Sequence, residues 1–346
     1  MRHSTHFLTT AAAALMLASL ACGKRGGAVY VVAGTERNAK GVSVAKLWAN
    51  GETQALSDGA KWCEPQSVFV SGGEVYAAGY EKAEDSPEVA VLWGGGAIQR
   101  LSDGSSNAQA NSVFIAGGDV YVAGFEAIQE GGWALNQATL WKNGKAQRLK
   151  GADAMAHSVF VHKGDVYVAG ADQNIQGNAV ATLWTNGAVQ RLTDGKRSAK
   201  ALSVFASAKD VYVVGFEDIE QGNTVAVLWK NGQAQRLGDG SMNTTASSVF
   251  VSGKNVYVAG YESKGRDSSV AMLWKDGQAQ RLSDGKNSAW AYSVSVAGKN
   301  VCVAGTELNP EGTRVATLWE NGVAKRLTDG TTNTWASSVF VAGAAK

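Results

Sequence analysis

Residues 248–285 read SVFVSGKNVYVAGYESKGRDSSVAMLWKDGQAQRLSDG, and this stretch decides the fold. Nearly the same string starts again upstream at Ser67, Ser112, Ser158 and Ser203, and downstream at Ser293. The Trp of its Leu-Trp pair marks the period at Trp48, Trp93, Trp141, Trp184, Trp229, Trp274 and Trp319. The spacings are 45, 48, 43, 45, 45 and 45 residues. One unit accounts for the two odd values, with three residues inserted before Trp141 and two deleted after it. A fixed period of this length marks a repeat architecture.

Each unit divides into four short extended segments. SVFV and VYVAG flank a Gly-rich turn and form a hairpin. A longer variable stretch leads to VAMLW, and an Asn-Gly or Asp-Gly turn leads on to AQRL. Segments so rich in Val on both faces need cover on both faces, which one isolated sheet cannot supply. Four-stranded blades packed around an axis can. The predicted fold is therefore all-β, a seven-bladed β-propeller. The ends agree with this. The chain enters at Val29–Gly34, a second strand, and leaves at Ser338-Val339-Phe340-Val341, a first strand. The last strand is expected to complete the first blade, closing the ring and removing its free edges. Over residues 28–343 this layout resembles that of kelch-type propellers. The likeness is one of strand order, because no double Gly follows the second strand, and no kelch function is carried over.

The remaining composition excludes several classes. Of 346 residues, 45% are apolar and 18% charged, so the chain is no disordered tail. A net charge of +2 gives no field to hold a nucleic-acid backbone. Arg2 followed by the short apolar run Phe7–Ala21 reads as an export signal. Ser19-Leu20-Ala21-Cys22 resembles a bacterial lipoprotein signal, in which Cys22 would be lipidated; it also fits ordinary secretory cleavage. The expected division is a signal over 1–21, a tether over 22–27 and one propeller domain over 28–346. The expected location is the bacterial envelope, with the membrane met only through a lipid anchor. Cys63 and Cys302 lie too far apart in the ring to pair.

Seven copies in one chain separate framework from freedom. An acid follows the second-strand Gly by two residues in every unit (Glu36, Glu81, Glu126, Asp172, Glu217, Glu262, Glu307). Arg stands on six fourth strands, with Ala55 the exception. These read as structural ion pairs. The Ser before each first strand reads as strand-start hydrogen bonding, and the seven periodic Trp as core.

The variable positions are the candidate site. Trp62, Trp133, Trp290 and Trp335 are the non-framework Trp, expected on the long connections of one face. Three residues before the framework Ser stand, among others, Met155, Lys200, Trp290 and Trp335; one residue before it stand His157 and Tyr292. Together Trp62, Trp133, Trp290, Tyr292, Trp335, Met155, His157 and Lys200 form the candidate ligand surface. Such rings can stack on a sugar, anchor a protein partner or plug the channel. His157 and His162 sit at opposite ends of one strand and cannot share a metal. No HExxH, CxxC or Gly-x-Ser-x-Gly pattern occurs, so no metal, cofactor or nucleophile is expected. The reading is a monomeric, non-catalytic binding module for a protein or carbohydrate, with a glycan-active enzyme carrying acids at the channel mouth as the alternative.

Overall fold

The computed structural model describes residues 29–265 and 268–342; the signal, tether and Cys22 lie outside the described residues. Seven four-stranded antiparallel sheets are present. Blade 6, the unit quoted above, runs Asn243–Ser252, Asn255–Ser263, Ser269–Lys275 and Gln278–Arg281 from the inner to the outer strand. Blade 1 takes its inner strand, Thr334–Ala342, from the far end of the chain and pairs it antiparallel with Val29–Arg37. The expected closure is thus present.

Turn chemistry explains the local structure. The third and fourth strands are joined through residues in the left-handed region, such as Asp276 (φ 52°) and Gly277 (φ 82°). That geometry matches the twist of a hairpin and selects Asn or Asp followed by Gly. The Asn side chain serves twice, since Asn186 Oδ1 also accepts the Val166 N–H at 2.9 Å.

The molecule has no single core. Its apolar residues form layers, each shared by two successive blades. Trp319 of blade 7 packs with Leu273 and Leu282 of blade 6. Trp48 of blade 1 packs with Ala304 and Leu318 of blade 7, so the closing joint is built like the others. All seven periodic Trp are buried, five of them completely. At roughly 200 Å² apiece, each contributes at most about 5 kcal/mol of burial. Trp184 and Trp274 also donate their indole N–H to carbonyls of the preceding blade, at Lys150 and Leu237.

The framework Ser has a different role from the expected one. Its hydroxyl does not cap its own strand but joins neighbouring blades. Val113 N–H donates to Ser67 Oγ, Val159 to Ser112, Val204 to Ser158, Val249 to Ser203, Val294 to Ser248 and Val339 to Ser293. Val68 to Ser338 completes the circle, all at 3.1–3.2 Å. Inner strands have no further strand on their axial side, so a side chain from the next blade satisfies the N–H that the ladder leaves open. Beside this ring, Phe340, Phe69, Phe114, Phe160, Phe205 and Phe250 touch in succession, with centroids 4.4–4.9 Å apart. Blade 7 carries Ser295 there instead, and its hydroxyl accepts a second bond from Val341 of blade 1.

Candidate functional site

The inner strands are longer than the four-letter words of the repeat. They begin well before the framework Ser, for instance Trp62–Ser71, Met155–His162, Ala199–Ser207, Ala289–Ala297 and Thr334–Ala342. Met155, Lys200 and Tyr292 are therefore strand residues, and so are Trp62, Trp290 and Trp335, which corrects the assignment of these three Trp to the long connections. Trp133 likewise opens the third strand of blade 3, Trp133–Lys142. The strand continues past the Ser because it carries a β-bulge there. In blade 4 the register jumps from Ala156 to Ser158, which leaves His157 as the extra residue. The same jump occurs at Gln66, Asn111, Leu202, Ser247, Tyr292 and Ser337. A bulged residue has no cross-strand partner to satisfy, so its identity is free to vary.

The bulge also fixes the second-strand Gly. At Gly260 a Cβ would collide with the Thr245 carbonyl oxygen and press on the Trp274 ring, and the other blades repeat the collision. Close backbone approach, not turn formation, is what demands glycine here.

Above the bulge, each variable inner residue faces the residue after that Gly. The pairs are Glu64 with Tyr80, Gln109 with Phe125, Lys200 with Phe216, and Thr245 with Tyr261. In blades 7 and 1 the sizes are exchanged, giving Trp290 with Thr306 and Trp335 with Thr35. Six blades thus place one aromatic ring at this level, from one strand or the other. Blade 4, with Met155 and Ala171, places none. Trp290 and Trp335 are both half-buried members of this collar.

Trp335 has company that sequence reasoning missed. The guanidinium carbons of Arg37 and Arg314 each lie 5.6 Å from its ring centroid. Both arginines are exposed, and neither forms an ion pair among the described residues. Cation–π attraction holds them against the ring while leaving their donors free. The signal available in sequence was their variability between units, at second- and third-strand ends that did not look like mouth positions. Burial pushes the Tyr292 hydroxyl up to about 12, the neighbouring Tyr261 adds to this, and the Arg314 charge opposes it. His157 is held down at about 4 by burial and by the charge of Lys200, and its Nε2 has no partner.

Trp62 breaks a framework rule. At its position the other units carry Asn107, Asp153, Ser198, Asn243, Ser288 and Asn333. Each accepts a backbone N–H from the third-strand region of the preceding blade, at or next to the start of that strand in five cases and at Asn136, within the longer strand of blade 3, in the sixth. An indole has no acceptor to offer. Trp133 lies apart from the inner strands, 74% exposed at the tip of the blade 3 hairpin.

The acids are scaffold in blades 1, 2 and 4. Glu81 meets Arg100 at 2.7 Å and Asp172 meets Arg191 at 3.0 Å, with both carboxylates buried. In blade 1, where Ala55 replaces Arg, Glu36 turns to Lys46 on the third strand at 3.0 Å. Cys63 and Cys302 are buried free thiols, pushed up to about 11 and about 12 by burial. Among the described residues no three His, Cys, Asp or Glu gather as a metal would need.

No family model matches the sequence, and no curated protein is significantly similar to it. Solved structures do match. The β-propeller domain of the Trilobed protease from Pyrococcus furiosus, which has an open velcro topology, aligns with a TM-score of 0.57 at 12% identity; 88% of this chain and 93% of that one are covered. A puromycin-hydrolyzing peptidase of Mycobacterium tuberculosis aligns at 0.59 and 12% identity over 85% of this chain and 50% of its own. The acylaminoacyl peptidase of Pyrococcus horikoshii aligns at 0.57 and 13% over 89% and 52%. The chain spans about half the length of those two peptidases. At this identity the likeness is one of fold: a seven-bladed propeller module, similar to propellers found in peptidases.

Proposed function

We propose that the protein is a non-catalytic binding module that holds a protein or glycan ligand on the face carrying its long connections. One observation carries this reading: half-buried Trp335, flanked by the exposed guanidinium groups of Arg37 and Arg314, which form no ion pair among the described residues, beside Trp290 and Tyr292 at the channel mouth. A ring with fixed cationic donors around it offers apolar area and directed hydrogen bonds together, the combination on which binding hot spots are built. The opposite face offers short Gly-containing hairpin turns that repeat from blade to blade. Its sameness suits a scaffold.

The module works as a monomer, exported to a bacterial envelope and tethered there by a lipid on Cys22. Its strand order is of the kelch type, and no kelch ligand is transferred with that layout. The peptidase propellers, at 12–13% identity, lend no residue to a catalytic reading either.

The test is a Trp290→Ala, Trp335→Ala double variant, compared with the parent on a glycan array and in cross-linking to envelope proteins. Loss of a specific glycan or protein signal with the fold retained supports the reading. Signals equal for every glycan and for every cross-linked envelope protein, in parent and variant alike, overturn it. An intact mass showing diacylglycerol on Cys22 supports the anchor, and an unmodified N-terminus after cleavage refutes it.

A further inference from the structure

The unit with irregular spacing builds something the other six lack. Its three extra residues lengthen the blade 3 hairpin to Asp119–Glu130 and Trp133–Lys142, against Asp165–Gln173 and Ala179–Thr185 in blade 4. Its two missing residues shorten the turn after the outer strand, where Lys150-Gly151-Ala152 stands in place of five residues such as Ser102–Ser106 of blade 2. A third change accompanies these two. The residue four before the periodic Trp is Val in six units (Val44, Val89, Val180, Val225, Val270, Val315) and Gln137 in this one. In those six blades the Val methyl fills the space against a turn glycine, such as Val89 on Gly104. Blade 3 has neither the Val nor that Gly, and the filling is gone.

What opens there is a cleft of about 610 Å³ between the blade 3 hairpin and the 102–106 turn of blade 2. The corresponding hollow of blade 2, beside Glu81 and Arg100, holds about 180 Å³. The larger volume falls within the roughly 300–1,000 Å³ of small-molecule sites. Its wall is polar and held in place. Gln137 commits its Nε2 to the Ala138 and Leu149 carbonyls, and Asp103 accepts both the N–H and the hydroxyl of Ser105. Burial holds the Glu126 carboxyl above the usual range, and the Arg148 charge opposes that rise. Asp103, Glu126 and Glu130 stand against one cation, Arg148, so the cleft repels anions. Trp133, the cross-strand neighbour of Glu130, exposes its ring at the rim.

We propose that this cleft binds a neutral sugar residue of a glycan chain, with Trp133 as a stacking platform beside it. Carboxylate, guanidinium, carboxamide and hydroxyl groups on one wall match the alternating donors and acceptors of vicinal hydroxyls. An aromatic face suits the C–H side of a pyranose ring. The inference rests on the reading of this face as a binding surface, and it selects glycan over protein for blade 3.

The experiment titrates the protein calorimetrically with cellohexaose, maltohexaose and chitohexaose, and with a galacturonate hexamer as the anionic control. At least one neutral hexaose is expected to bind, and the anionic one is not. Gln137→Val, which installs the residue of the other six blades, and Trp133→Ser, at an exposed position, should each weaken binding about tenfold with the cooperative fold retained. The Trp290→Ala, Trp335→Ala variant should keep it. No binding of any neutral hexaose at millimolar concentration overturns the proposal, as does preference for the anionic one or indifference to both blade 3 substitutions. Sugar binding abolished only by the mouth variant sinks the cleft and leaves the reading of the face standing.

Discussion

Ser338→Ala tests the ring of inter-blade hydroxyls where it matters most. Ser338 accepts the Val68 N–H at 3.1 Å in a buried setting, and it belongs to the strand that closes the ring. The substitution deletes one oxygen and leaves the backbone in place. The orphaned N–H has no water to turn to, so the cost is that of a buried unsatisfied donor, about 2 kcal/mol. Unfolding entropy of about 2.1 cal/mol/K per residue, over the roughly 310 described residues, converts this to a fall of about 3 °C in melting temperature. Ser248→Ala, whose bond to Val294 is only partly buried, should cost less. Calorimetry reads the stability, and amide exchange followed by mass spectrometry reads the Val68 segment. That segment should lose protection while the equivalent segment around Val249 does not. An unchanged melting temperature together with unchanged exchange at Val68 would refute the assignment and make the recurring hydroxyls incidental.

Three further outcomes follow from the geometry. Gly260→Ala, which drives a Cβ into the Thr245 carbonyl, should destabilise far more than Gly253→Ala at an open turn; equal melting temperatures would remove the bulge as the reason for glycine. His157, near 4 in the folded chain against about 6.5 unfolded, contributes stability that is complete above pH 6.5 and lost as pH falls toward 4, roughly 3 kcal/mol in all. His157→Leu, the residue type that blade 5 carries at Leu202, should flatten the melting-temperature profile over that window, and an unaltered profile would contradict the burial argument. Cys63 and Cys302, buried and held protonated, should resist alkylation at pH 8 in the folded protein and react on unfolding, as site-resolved mass spectrometry will show.

The ring was legible because seven copies of one string state the same hydrophobic pattern, and chance cannot do that. What a string hides is anything that joins one unit to the next. Ser67 and Val113 lie 46 residues apart, and nothing near Ser67 reveals that its hydroxyl serves the next blade. The bulge was equally invisible. One added residue does not interrupt a run of letters, yet it carries the strand on through Trp290 and Trp335, which sequence reasoning assigned to connections. Arg37 and Arg314 escaped notice because their shared partner, Trp335, belongs to a third segment of chain. The spacings of 48 and 43 were plain from the start, but their consequence needed the missing Val–Gly contact, which only packing displays.

The closing strand also sets a condition on biosynthesis. Every other inner strand finds its partner across a short turn, a local event with little loop entropy to overcome. Val29–Arg37 must wait for Thr334–Ala342, made some three hundred residues later. Until that strand emerges, the nascent chain carries an unpaired β-edge and an uncovered apolar layer at both ends of an open arc. Those are the surfaces on which a growing polypeptide aggregates or recruits a holdase. Yet the late arrival faces no ambiguity. The remaining second strands already hold their own hairpin partners, so one vacancy alone is left for it to fill.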